Sequence, residues 1–254
     1  MIKKYLDKKL SKAQKRKWRN HLDDFRSLGP GFNLSRIGRI YKTDKAEGHN
    51  YCEHYRKHFR PYKFRRINFL EIGVGGYKEP FDGGSSLRMW RKYFPFGRIF
   101  SIDIYDKKPH CERRIKILQG SQVDIPFLDS LLEKTGPLDL IIDDGSHLNE
   151  HVIASFEYLF PKLKDGGLYV VEDTQTSYWK HYGGDSDDMN KEGTMMTFFK
   201  GLTDSMNNKE FRRPGYQQSY YDKKIISMHF YHNMVFIYKG DNDEESNIVV
   251  NNQI

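Results

Sequence analysis

Between residues 67 and 173, five short apolar runs alternate with segments of helical periodicity, and this alternation is the strongest constraint on the fold. The runs are Ile67–Ile72, Arg98–Ile104, Arg114–Leu118, Leu138–Ile142 and Gly167–Val171. None alternates cleanly between apolar and polar, as expected of strands covered by helices on both faces. Between them, Ser85–Tyr93, Ile125–Lys134 and His151–Leu163 carry apolar side chains at spacings of three and four, the helical period. Strand–helix alternation predicts right-handed crossovers and an α/β, doubly wound, mainly parallel sheet. Two further strands are expected at Lys224–His229 and Met234–Lys239, joined by a turn around His232-Asn233, which makes seven.

The expected organisation is a basic helical extension over 1–65, a sheet domain over 66–240 with a polar, aromatic insertion at 174–222, and a polar tail at 241–254. The 42 Lys+Arg exceed the 34 Asp+Glu by 8. Residues 1–20 alone hold nine Lys/Arg against Asp7, and the rest of the chain is balanced. A general electrostatic case for nucleic-acid binding therefore fails. Ile2, Leu6, Leu10 and Ala13 recur at helical spacing, so the basic segment reads as an amphipathic helix: a solvated cover, a protein contact, or a docking element for a polyanion or acidic membrane surface. Two cysteines, Cys52 and Cys111, exclude a disulfide scaffold and a four-cysteine zinc site. No apolar stretch approaches the roughly 18–20 residues of a membrane span, and the N-terminus lacks the apolar run of a secretory signal. The expectation is a cytoplasmic protein without an integral membrane segment.

In an open α/β sheet, ligands bind beyond the carboxyl ends of the strands. The first strand ends in Glu71-Ile72-Gly73-Val74-Gly75-Gly76, where glycine permits a tight turn and close approach of a ligand. It is not a dinucleotide fingerprint, since Lys78 stands where the third glycine belongs. Asp103 ends the second strand, where a carboxylate can accept both hydroxyls of a ribose. Gln122 is placed for an adenine edge. Asp143-Asp144 and Glu172-Asp173 end the fourth and fifth strands. Four carboxylates on one edge repel one another unless neutralised, and oxygen ligands select Mg²⁺, Mn²⁺ or Ca²⁺ over zinc. The plain alternative is that some cap a helix or pair with Arg or Lys. His147, three residues past Asp144, is a candidate general base.

Phe69–Tyr77, Ser86-Leu87-Arg88-Met89-Trp90, Ile142–His147 and Gly167–Asp173 together resemble the class I S-adenosylmethionine methyltransferases, and among them the metal-dependent sugar O-methyltransferases of macrolide biosynthesis. The resemblance spans about residues 40–180. It implies a Rossmann-like sheet whose last strand is antiparallel. Glu71, Gly73, Gly75, Ser86, Asp103, Gln122 and Asp143 are then expected around S-adenosylmethionine. Asp144, Glu172 and Asp173 are implied as ligands of Mg²⁺ or Mn²⁺, with His147 as base. Thr43-Asp44-Lys45, followed by His49 and Tyr51, resembles a further family motif; Lys42 stands where the family usually has glycine.

The reading is an S-adenosylmethionine-dependent, metal-dependent O-methyltransferase acting on a sugar hydroxyl of a glycosylated small molecule or glycan. Tyr178, Trp179 and Tyr182 offer flat faces for a pyranose or, equally, pack a lid. The rivals are a catechol-type enzyme, a nucleic-acid methyltransferase and a non-catalytic cofactor-binding scaffold. No Asn/Asp-Pro-Pro-Tyr occurs and neither cysteine follows proline, which disfavours nucleic acid. A homo-oligomer is compatible with the sequence.

Overall fold

A computed structural model describes residues 10–246, which divide into two compact units between Ser121 and Gln122. The first begins with α1 (Lys12–Arg26), α2 (Leu34–Tyr41), the short α3 (Asp44–Glu47) and α4 (Cys52–Phe59). Capping fixes their starts. Ser11 and Gln14 form a reciprocal capping box at α1, and the Asn33 side chain accepts from Arg36 N at α2. Strand β1 (Asn68–Ile72), helix α5 (Ser85–Tyr93), β2 (Arg98–Asp103) and β3 (Ile115–Gln119) follow. Strands β1, β2 and β3 pair in parallel, with Ile72 opposite Ile102 and Asp103 opposite Gln119. Phe59, Phe69, Trp90 and Phe94 are fully buried and meet at tilted and edge-on angles, the geometry aromatic quadrupoles favour.

The second unit holds α6 (Ile125–Thr135), β4 (Leu138–Asp143), α7 (Asn149–Leu159), β5 (Leu163–Glu172), α8 (Met195–Leu202), α9 (Tyr220–Lys224), β6 (Ile225–Tyr231) and β7 (Met234–Lys239). Strand β5 runs parallel to β4 and antiparallel to β7. Strands β6 and β7 form a hairpin in which Tyr231 faces Met234, and Asn233 takes the left-handed turn position at φ 60°. The sheet order is β3-β2-β1-β4-β5-β7-β6, the expected doubly wound, Rossmann-like sheet with β7 antiparallel.

The differences from expectation are local. Helix α7 starts at Asn149 and gives way at Phe160-Pro161-Lys162 to a 3-10 turn, because proline supplies no N–H for another helical bond. Strand β5 begins at Leu163, before the glycines, because Leu163 already pairs with Leu138. Lys224 is the last residue of α9 and not the first of a strand. Of the amphipathic pattern expected near the N-terminus, Ile2 and Leu6 lie outside the described residues, and Ala13 is exposed. In the expected tail, Asn242 donates its side-chain amide to the Asp222 carbonyl at 2.9 Å; residues 247–254 lie outside the described part.

Candidate active site

The residues singled out from sequence fall into two groups, one in each unit. In the first unit, Gly73 N donates to Ile102 O at 2.8 Å, carrying the β1–β2 pairing one residue past the strand. Gly75 and Gly76 then turn with φ 76° and 77°, a region where other residues are strained. A second glycine pair, which sequence reasoning missed, holds this turn. Gly84 N donates to Val74 O at 2.8 Å, and a Cβ on Gly83 would fall 2.3 Å from Gly75 O. A Cβ on Gly75 itself would meet nothing nearer than 3.9 Å, so that side of the turn is open to a ligand. Gly83-Gly84-Ser85-Ser86 before an apolar helix was the available signal.

Asp103 braces the same turn. Its Oδ2 accepts from Val74 N at 3.0 Å and its Oδ1 from Tyr105 N at 2.9 Å. Each carboxylate oxygen retains acceptor capacity, so the side chain is fixed while still able to receive hydroxyls. Glu71, fully buried at the end of β1, accepts from Ser86 Oγ at 3.0 Å. Its Oε1 lies 3.5 Å from Lys45 Nζ, and that ammonium group is also buried. The Thr43-Asp44-Lys45 motif thus acquires a structural purpose. Lys45 N and Thr43 Oγ1 both donate to Asp44 Oδ1, shaping the short α3 that carries Lys45. Lys42 caps α2 in the left-handed region at φ 56°, which explains glycine as the family's usual residue there. Tyr51 is buried, and His49 stacks on it at 5.0 Å.

In the second unit, Asp143 ends β4 almost wholly buried. Burial pushes its carboxyl up to about 7, against the opposing effect of hydrogen bonds from Tyr169 and Gln122. Gln122, expected at an adenine edge, has its side-chain amide engaged inside the fold. Its Nε2 donates to Asp143 and to Ser155 Oγ, and its Oε1 accepts from Ser146 N at 2.9 Å. Gln122 and Asp143 therefore brace the Gly145-Ser146 turn that leads to His147.

Among the described residues, the potential ligand atoms of Asp144, His147 and Asp173 lie within 4.8 Å of one another. His147 Nε2 is 4.0 Å from Asp144 Oδ1 and 3.8 Å from Asp173 Oδ2. Glu172 is not in this group; it is buried opposite Met234 of β7. Two half-buried carboxylates with an adjacent imidazole match the hard donors that hold Mg²⁺ or Mn²⁺ with room for further oxygen ligands.

Thr176 of the insertion and Asn149 of α7 hold this group in place. The Thr176 hydroxyl is 2.8 Å from His147 O and 3.2 Å from Asp173 O. Asn149 is buried at the start of α7. Its Nδ2 donates to Thr176 O and Tyr182 O, and its Oδ1 accepts from Met195 N and Ser177 Oγ. Neither residue was legible in sequence, since nothing local marks a threonine or asparagine as a clasp. Trp179 is 45% exposed, with His181 stacked on it and Tyr182 beside it; Tyr178 is half-buried.

A dinucleotide enzyme would need a third glycine after this turn, and a phosphate-transfer P-loop a different one. The glycine turn with the acid ending β2 in one unit, and the acidic strand ends in the other, are the features that the resemblance to methyltransferases implied. A family model described as a methyltransferase domain matches residues 25–174. Mycinamicin VI 2''-O-methyltransferase of Micromonospora griseorubida is 45% identical over 214 residues, 84% of this chain and 54% of that protein. Demethylmacrocin O-methyltransferase of Streptomyces fradiae is 45% identical over 218 residues, with the same shares covered. The solved structure of the MycE methyltransferase from the mycinamycin biosynthetic pathway, in complex with Mg and SAH, matches with a TM-score of 0.82 at 43% identity. It covers 86% of this chain and 58% of that one. The chain belongs to the methyltransferase-domain family whose model it matches, and it spans about half the length of the curated relatives it matches.

Proposed function

We propose that the chain is an S-adenosylmethionine-dependent, divalent-metal-dependent O-methyltransferase acting on a sugar hydroxyl of a glycosylated small molecule or a glycan. The observation that carries the reading is the grouping of Asp144, His147 and Asp173 in a chain 45% identical to enzymes named as O-methyltransferases and 42% identical to one named as a rhamnosyl tetracenomycin-C 2'-O-methyltransferase. S-adenosylmethionine supplies a sulfonium methyl, and a divalent ion lowers the pKa of the attacking hydroxyl. Asp144 and Asp173 hold the ion, with Glu172 one residue away as the further ligand expected from the family pattern. His147 Nε2 receives the hydroxyl proton as the oxygen–carbon bond forms. Asp103 holds the ribose hydroxyls, the open side of Gly75 receives the cofactor, and Glu71 with Ser86 fixes the end of β1 beneath it. Gln122 and Asp143 keep the turn before His147 in place.

In this reading the sheet domain (66–240) carries the chemistry, the insertion (174–222) presents Trp179 and Tyr182 to a pyranose ring, and the extension (1–65) supplies Lys45. The test is incubation of the full chain with Mg²⁺ and methyl-deuterated S-adenosylmethionine against glycosides and catechols, read by mass spectrometry. Methyl gain on a sugar oxygen supports the reading. Transfer to catechols alone, or to neither class while the chain still binds S-adenosylhomocysteine, overturns it.

A further inference from the structure

Helix α1 is inside out. Arg16, Asn20 and Asp24 face the protein, while its large apolar residues face solvent. On the inner side, Asp24 Oδ1 receives Arg88 Nη2 at 2.8 Å and Arg91 Nη2 at 2.7 Å. Asn20 donates to Glu112 and accepts from Arg88, and Arg16 Nη1 meets His110 Nδ1 at 2.9 Å. On the outer side, Trp18 is 66% exposed, Leu22 47% and Phe25 73%, and Leu28 just beyond the helix is 64% exposed. At about 100° per residue, Trp18, Leu22 and Phe25 lie within about 60° of one another. They form one stripe about two turns long.

A helix covering a protein core would be expected to turn this stripe inward. Here the ion pairs to Arg88 and Arg91 set the rotation, so the stripe faces outward. Exposed cations flank it: Lys12, Lys17, Arg19 and Arg26. The chain before the helix continues the charge, since residues 1–20 carry nine Lys/Arg and one acid. Past the helix, Phe32 and Phe64 meet edge to face at 5.2 Å with the Lys63 ammonium over both rings. Tryptophan and phenylalanine between cations match the region where lipid headgroups meet acyl chains. No described helix is long and apolar enough to cross a membrane, so the contact is peripheral.

We infer that α1 is a membrane-surface anchor: the Trp18–Leu22–Phe25–Leu28 stripe enters an anionic lipid leaflet while the surrounding lysines and arginines pair with its headgroups. Charge complementarity selects this occupant. A nucleic acid would use the cations and leave the apolar stripe in water, and a second copy of the chain would bring like charge against like. The inference concerns where the protein sits and does not depend on the acceptor it methylates.

The test is flotation of the full chain with vesicles of phosphatidylcholine alone and of equal parts phosphatidylcholine and phosphatidylglycerol. Binding is expected only with phosphatidylglycerol, and it should fall steeply toward about 1 M salt, where the Debye length is about 3 Å. Substituting Trp18→Ser, Leu22→Ser and Phe25→Ser together, all on the solvent side, should lower vesicle binding at least about tenfold. The melting temperature and affinity for S-adenosylhomocysteine should be unchanged. Lys12→Glu with Lys17→Glu should weaken binding while leaving the stripe intact. Failure to float, equal binding to neutral vesicles, or retention of binding by the triple variant overturns the inference. So does a concentration-dependent dimer that the triple variant abolishes, because the stripe would then be covered by a second chain.

Discussion

His147 Nε2 stands 3.8 Å from Asp173 Oδ2, and both residues hold left-handed backbone, at φ 57° and 56°. Non-glycine residues enter that region at a cost of order 1 kcal/mol, and such outliers concentrate at functional sites. Here one hydroxyl serves both, because Thr176 Oγ1 lies within reach of the two carbonyl oxygens. The turn after β4 and the turn after β5 are thereby held together.

Removing the proposed ligands should remove the ion. Asp144→Asn and Asp173→Asn are each expected to weaken Mn²⁺ binding to the purified chain by at least about tenfold, measured by titration calorimetry. Glu172→Gln should weaken it as well, because Glu172 is the further ligand proposed beside this group. Chelation should abolish turnover and added Mg²⁺ restore it. Full turnover in metal-free buffer would contradict the assignment.

His147→Ala should lower kcat by about 10²–10⁴-fold, the usual range for loss of a general base, with little change in cofactor or Mn²⁺ affinity. The ascending, acid-side limb of the wild-type pH–rate profile should flatten. An unchanged profile would point to another base, with His151, whose Nδ1 lies 3.0 Å from Ser146 Oγ, the next to test.

The Lys45–Glu71 pair should show strong coupling. Breaking a buried pair from one side commonly costs about 3–5 kcal/mol, because it strands a charge in the interior. Lys45→Met is expected to fall in that range by urea unfolding. The double substitution Lys45→Met with Glu71→Gln should cost less than the two single ones added. Simple additivity would mean that the two groups do not act as a pair.

Acid should destabilise the fold through His110. Burial first, then the neighbouring Arg16 and Lys107 cations, push its imidazole down from 6.5 to about 4. The unfolded chain therefore binds a proton between those values that the folded chain refuses. This contribution to stability is complete above pH 6.5 and is lost as pH falls toward 4, by about 2–3 kcal/mol. His110→Gln should remove that part of the pH dependence, as seen in melts between pH 4 and 7.

Lys42→Gly should stabilise the protein. Lys42 holds φ 56° at the C-terminus of α2, where a side chain costs about 1–2 kcal/mol and glycine gives back about 0.5–1 kcal/mol of that in unfolded-state entropy. A net gain of about 0.5–1 kcal/mol, or about 2–3 °C in Tm, is expected. Lys42→Ala should give no such gain.

The sheet was legible because its determinants are local. Apolar runs without alternation, helical periodicity between them and glycine or acid at their ends announce a doubly wound fold, and Ser85–Tyr93 even has the expected ends. The start of β5 moved where pairing overrode local signals, as Leu163 joined the strand across two glycines.

The chemical types at the strand ends were likewise in the sequence: Asp103, Asp144, Asp173 and His147 stand on short turns that the strands themselves position. What only the tertiary structure decided was their company. Gln122 is spent on Asp143 and Ser146, Lys45 crosses from another helix to Glu71, and Thr176 joins His147 to Asp173. The same holds for α1, where a helical wheel marks an apolar stripe but cannot say which way it faces. Periodicity is a property of neighbours in the chain. Ion pairs such as Asp24 with Arg88, 64 residues apart, form only when folding brings distant segments together, and those distant pairs determine which side of the helix meets water.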